Sequence, residues 1–157
     1  MKIYEIPNYK RLEIKNILLD INGTIQFNGK ISQELKQKIM ELKQKFKIIL
    51  ISADTRGNLK EIASELDLNY ERLTENQPER EQKGKIVDKY NKENTIAIGN
   101  GNNDELMLKK AALGIAIIGT EGVSIKAITS ADIIVTNPID AIDLILDEKK
   151  LIATLRS

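Results

Sequence analysis

The chain has 157 residues, with 24 lysines and arginines against 23 aspartates and glutamates and a formal net charge of +1. That length suits one domain, and so even a charge balance gives no general pull toward nucleic acid or an anionic membrane. The absences exclude more: no Cys, no His and no Trp leave no disulfide, thiolate nucleophile, Ser-His triad, sulfur- or imidazole-built metal site or strong base-stacking platform.

Strand and helix signals alternate along most of the sequence. Residues 2–15, around Pro7-Asn8, read as a hairpin added to the edge of a sheet. The apolar run 14–19 is a buried strand that ends at Asp20-Ile21-Asn22-Gly23-Thr24, followed by a small hairpin turn over 26–30. Leu35, Ile39, Leu42 and Phe46 share one helical face behind Ser32, a candidate N-cap. A second buried strand, 47–51, leads into Ser52-Ala53-Asp54, and 59–66 is helical. Then come a short strand at 69–73, a helix from 78 to 90, a strand at 95–99 and a helix from 104 to 112. Strands at 114–118 and 132–135 flank a helix from about 121 to 129, and Pro138 opens a last helix running through Leu146. The pattern predicts one α/β domain over residues 1–157, a parallel sheet covered by helices on both faces. With no apolar run of about 18 residues and no signal-peptide opening, the expectation is a cytoplasmic chain without a membrane or nucleic-acid partner.

Several motif matches fail on inspection. The stretch from Gly23 to Lys30 is one residue too long for a P-loop and carries Ile31 where Ser or Thr must meet Mg²⁺. The segment beginning at Gly99 ends in Asp104 rather than glycine, unlike a dinucleotide fingerprint, and lies far from the N-terminal unit. Asn22-Gly23-Thr24 is formally a glycosylation sequon without meaning in a cytoplasmic chain. Lysine-rich helix faces such as 36–47 are solvated surface.

Four signals remain, each at or beside the C-terminal tip of a predicted strand: Asp20-Ile21-Asn22-Gly23-Thr24, Ser52-Ala53-Asp54, Lys83, and Gly99-Asn100-Gly101-Asn102-Asn103-Asp104. Singly each reads as an ordinary turn. In this order, at the end of a parallel sheet where ligands bind, they form a site.

In these four motifs the sequence resembles the haloacid dehalogenase superfamily of phosphohydrolases, over residues 14 to 155. Within it the likeness is to the phosphorylation domain of P-type ATPases and to small soluble P-type-ATPase-like phosphatases. The segments Ala111–Ile117 and Ala131–Val135 and the terminal Leu-Ile-Ala-Thr-Leu-Arg add to it. The resemblance implies a three-layer Rossmann-like core, strands in the order 3-2-1-4-5-6 counted from residue 14, and no cap domain. It implies Asp20 as nucleophile, holding an aspartyl-phosphate, with Ser52, Lys83 and the amides of the turn at Gly23 binding the phosphoryl group. Lys85 is the rival for the lysine. It also implies Mg²⁺ as cofactor, held by Asp20, the Asn22 carbonyl and Asn100, with Asp104 in or beside that set. The implied substrate is a small phosphorylated molecule. Capless members act on large substrates or cover the site with a neighbouring subunit, so a homo-oligomer is one of two arrangements implied.

Two positions depart from the superfamily pattern. Asn22 stands where an Asp usually protonates the leaving oxygen, help that is typically worth about 10²–10⁴ in rate. Asn100 offers a neutral oxygen where an anionic metal ligand is usual, so Mg²⁺ affinity should be weak. The leading expectation is a Mg²⁺-dependent phosphohydrolase for activated phosphates. The alternatives are a degenerate domain that binds phosphate or a protein without turnover, and carbon–halogen hydrolysis. Both departures are Asn-Gly pairs, in which the glycine amide can attack the preceding side chain, and deamidation in place would generate the missing carboxylates.

Overall fold

The computed structural model describes all 157 residues. Its main sheet has six parallel strands: β3 (Asn16–Asp20), β4 (Lys47–Ser52), β5 (Asn69–Arg72), β6 (Thr95–Gly99), β7 (Leu113–Ile117) and β8 (Ile133–Val135). They lie in the order β5-β4-β3-β6-β7-β8, the doubly wound order expected. The chain winds outward from β3 to β5, returns to β6 and winds out the other way. The order therefore reverses between β3 and β6, where their carboxyl ends open a crevice.

Alternate side chains of each strand face opposite layers. Ile17 and Leu19 join the larger apolar core, beneath α1 (Gln33–Lys43), α2 (Leu59–Leu66), α6 (Pro138–Leu146) and α7 (Glu148–Leu155). Leu18 joins the smaller one, beneath α3 (Glu79–Lys89), α4 (Glu105–Lys110) and α5 (Ile125–Ser130). The predicted stripe of α1 is the buried one: Leu35, Ile39 and Leu42 face the core, and Ser32 accepts from the Leu35 N–H at 3.2 Å as N-cap. Each such buried side chain contributes roughly 1.5–3 kcal/mol. No helix is long and apolar enough to cross a membrane.

Four local expectations need correction. The N-terminal hairpin, β1 (Lys2–Glu5) with β2 (Arg11–Ile14), does not extend the edge of the main sheet but forms its own two-stranded sheet. Only Lys15 separates β2 from β3, and β3 is central, so the hairpin cannot reach an edge. It packs instead under the amino end of the sheet, where the buried Tyr4 hydroxyl donates to the Ile145 carbonyl at 2.6 Å. The helix expected from 121 starts only at Ile125, because Gly119 to Gly122 closes a tight turn and Ser124 caps the helix. The helix expected over 104–112 opens with a 3₁₀ turn at Asn102–Asp104 and ends at Lys110. Finally, α7 was not foreseen; the Asp147 carboxylate caps it by accepting from the Lys149 N–H at 3.0 Å.

Candidate active site

Three neighbouring strands deliver the motifs to one crevice: β3 ends in Asp20, β4 in Ser52, and β6 in Gly99 just before Asn100. Helix α3 brings Lys83 in from beside them. Its ammonium is 1% exposed and donates at 2.7 Å to Asp20 Oδ1 and at 2.7 Å to Asp104 Oδ1. Lys85 is exposed to solvent on the same helix, so the structure distinguishes the two lysines by burial.

The two carboxylates are held differently. Asp104 is fully buried, and its Oδ2 accepts from the Asn100 N–H at 2.9 Å and the Gly101 N–H at 3.0 Å. With Oδ1 on Lys83, both of its oxygens are committed. Gly99 is what admits it: a Cβ there would overlap the Asp104 carboxylate. Asp20 Oδ2 accepts from the Thr24 hydroxyl at 2.8 Å, and the same Thr24 Oγ1 lies 3.2 Å from Asn100 Oδ1. Thr24 thus braces the nucleophile candidate against the strand tip that carries Asn100.

Electrostatics follow from that packing. Burial, and then the Asp104 charge, push the Asp20 carboxyl up to about 6 against the opposing pull of Lys83 and Thr24. Burial pulls the Lys83 ammonium down, but Asp20 and Asp104 outweigh it and hold the group above its ordinary value.

The remaining motif residues divide. Ser52 is buried, and its Oγ accepts from the Asp54 N–H at 2.9 Å, which leaves the hydroxyl proton free to donate. Asp54 turns away: its Oδ1 accepts from the Leu59 N–H at 2.8 Å at the start of α2, and Arg72 lies 3.8 Å from its other oxygen. Gly23, expected to offer its amide to phosphate, donates that N–H to the Gln26 carbonyl at 2.9 Å. Its part is conformational, with φ at +76° and no space for a side chain beside Asn100 and Glu121. The Asn22 Oδ1 is buried without a hydrogen-bond partner.

A pocket of about 310 Å³ brings Asp20, Asn22, Ser52, Lys83 and Asn100 together. Thr24, Glu79, Asn103 and Glu121 were not foreseen. Thr24 lay inside the first motif and needed only its four-residue spacing from Asp20 to be noticed. Glu79 and Asn103 meet at 2.5 Å on the pocket rim, and Glu121 comes from a turn that carries no motif.

Sequence and structure comparisons agree on the family. A model of the haloacid dehalogenase-like hydrolases matches residues 6–112, and a second haloacid dehalogenase-like hydrolase model matches residues 83–144. The Methanocaldococcus jannaschii protein MJ0073 is 54% identical over 82 residues, covering 50% of this chain and 88% of that protein. The cobalt-bound deoxy-D-mannose-octulosonate 8-phosphate phosphatase of Haemophilus influenzae superposes with a TM-score of 0.71 at 13% identity, covering 87% of this chain and 90% of that one. The 3-deoxy-D-manno-octulosonate 8-phosphate phosphatase of Moraxella catarrhalis, solved with magnesium, phosphate and KDO, gives 0.71 at 17% identity, covering 91% and 94%. At such identities the superpositions speak for the fold, while the sequence match spans more than half of the chain. With its doubly wound sheet and its carboxylates at the strand tips, the chain belongs to the haloacid dehalogenase-like hydrolases.

Proposed function

We propose that this chain is a Mg²⁺-dependent phosphohydrolase that works through an aspartyl-phosphate on Asp20 and takes small phosphorylated substrates with good leaving groups, such as aryl or acyl phosphates. The observation that carries the reading is one buried lysine held between two carboxylates at the switch point of the sheet. That the Moraxella catarrhalis neighbour is a phosphatase solved with magnesium and phosphate supports the class of reaction. The likeness of the DxNGT and GNGxND segments to the soluble P-type-ATPase-like branch supports the preference for activated phosphates.

The pocket's donors fit a hard divalent cation, since the Asp20 carboxylate, the Asn22 carbonyl and the Asn100 amide offer oxygen and no sulfur or imidazole competes. Bound there, Mg²⁺ would neutralise phosphoryl oxygens and favour the ionised form of Asp20. Asp20 attacks phosphorus, forming its carboxylate–phosphorus bond as the ester oxygen departs with its electron pair. Lys83 keeps positive charge beside the nucleophile and the phosphoryl oxygens, and Ser52 donates its free proton to one of them. Water then cleaves the acyl phosphate. Asn22 neither gives a proton to the leaving oxygen nor takes one from this water, so substrates whose leaving group departs without a proton react best. With a small substrate, a second subunit would be what covers the pocket.

The test is hydrolysis of para-nitrophenyl phosphate with Mg²⁺ or EDTA, beside Asp20→Asn, with acid-quenched samples mapped by mass spectrometry for phosphate on the Asp20 peptide. Metal-dependent turnover that the variant lacks, with phosphate trapped on Asp20, is expected. Phosphate binding without turnover at any metal concentration would instead identify a degenerate binding domain.

A further inference from the structure

Two carboxylates in the pocket, Glu79 and Glu121, belong to none of the four motifs, and Glu79 is taken by Asn103. Glu121 sits in the turn between β7 and α5, which is closed by the Gly122 N–H donating to the Gly119 carbonyl at 3.0 Å. Immediately after it, the Ser124 N–H donates to the Asn100 carbonyl at 2.8 Å, which ties this turn to the tip of β6. A Cβ built on Gly23 would fall 2.6 Å from Glu121 Oε2 and 2.5 Å from Asn100 Nδ2. The carboxylate and the Asn100 side chain therefore converge to within about 5 Å over the loop that follows the nucleophile. Glu121 takes part in no ion pair or side-chain hydrogen bond, unlike Glu79 and Glu105 nearby, which hold Asn103 and Arg80.

Charge makes the position informative. Asp104 has both oxygens committed to Lys83 and to the amides of Asn100 and Gly101. Asn100 is neutral, and its Oδ1 lies toward Thr24, leaving its Nδ2 toward Glu121. Asp20 also has a partner on each oxygen, but it lines the pocket whereas Asp104 does not. Among the motif residues Asp20 is therefore the carboxylate that faces a dication there, and affinity for hard cations rises with the number of anionic oxygens. We propose that Glu121 supplies the second anionic oxygen ligand to the divalent cation, taking the part that Asn100 leaves vacant. The proposal rests on the metal-dependent reading above.

Calorimetric titration of the intact protein with Mg²⁺ alone, repeated with Mn²⁺ followed by electron paramagnetic resonance, tests it without any substrate. Glu121→Gln is close in shape and lies on an exposed turn, and its melting temperature checks that the fold is kept. It should weaken binding of both ions at least about tenfold. Asn100→Asp should tighten binding, and the Asn100→Asp/Glu121→Gln double variant should return to within a few-fold of the parent. Asp20→Asn, the control for the site itself, should abolish binding. If Asp20→Asn loses the ion while Glu121→Gln keeps the parent affinity, Glu121 is no ligand and the metal-dependent reading stands. If the parent protein binds neither ion, both fall. A Glu121→Gln protein with unchanged affinity but an altered pH profile of hydrolysis would assign Glu121 to proton transfer and overturn the ligand role.

Discussion

Lys83 reaches Asp20 across 63 positions of sequence, its Nζ 2.7 Å from Oδ1, and spends a second donor on Asp104 at the same distance. Both contacts are buried, so the ammonium is the counter-charge that allows two carboxylates to stay side by side. Removing one partner of a buried ion pair typically costs about 3–5 kcal/mol, because the charge left behind has lost both water and its partner. Lys83→Met should therefore lower the unfolding free energy at pH 8 by about that amount, and recover part of it near pH 5 as the stranded carboxylates take up protons. Urea titrations at the two pH values measure both effects. Unchanged stability at pH 8 would mean that the two carboxylates do not depend on Lys83.

Position 22 separates leaving groups. The Asn22 Oδ1 is buried and unpartnered in the loop that follows Asp20, and a carboxyl there would have a raised affinity for its proton, as a general acid requires. Asn22→Asp should raise kcat/KM for alkyl phosphates by at least about tenfold and for aryl phosphates by less, since aryl oxides leave without a proton. Steady-state kinetics on matched esters decide it. An equal gain on both classes would show that position 22 does not reach the leaving oxygen.

In metal-free protein, Asp20 should set a pH dependence of stability with a definite sign. Its carboxyl is raised from an ordinary 3.8 to about 6 by burial and by Asp104, so the folded protein holds that proton more tightly than the unfolded chain. The stability that this group contributes is complete below about pH 4 and is lost as pH rises through about 6. Asp20→Asn carries no such penalty. In EDTA above pH 7 the variant should exceed the parent by roughly 3 kcal/mol, and the two should converge toward pH 4. Denaturant titrations across that range compare them, and a difference that stays constant with pH would refute the assignment.

The folded structure opposes deamidation at both Asn-Gly pairs. The Gly23 N–H is held by the Gln26 carbonyl at 2.9 Å, and the Gly101 N–H by Asp104 Oδ2 at 3.0 Å. Neither amide nitrogen is free to attack the preceding side chain. Peptide mapping after prolonged warm incubation should find Asn22 and Asn100 intact in native protein and converted in urea-unfolded protein. Equal rates in the two states would show that these hydrogen bonds give no protection, and that activity measured on aged samples reflects chemical history.

The sequence by itself determined the layered α/β plan, because the signals behind it are local. Apolar runs of five or six residues marked β3, β4, β6 and β7, helical spacing behind the Ser32 cap marked α1, and Pro138 marked the start of α6. That Asp20, Ser52 and Asn100 lie at strand tips followed from those runs, since a motif placed just after a parallel strand must emerge at the carboxyl edge. Partners distant in the chain were decided only by the tertiary structure. Asp54, part of a motif as a string of letters, became a cap for α2, because its carboxylate meets the Leu59 N–H. Asp104 turned inward to hold Lys83 and two backbone amides once Gly99 left it room. Glu121 reached the pocket because the turn after β7 folds back against the Gly23 loop. The hairpin formed its own sheet because β2 leads straight into a central strand. Periodicity records which face of an element is apolar, whereas the identity of the group that meets a given carboxylate depends on packing between elements that no local pattern encodes.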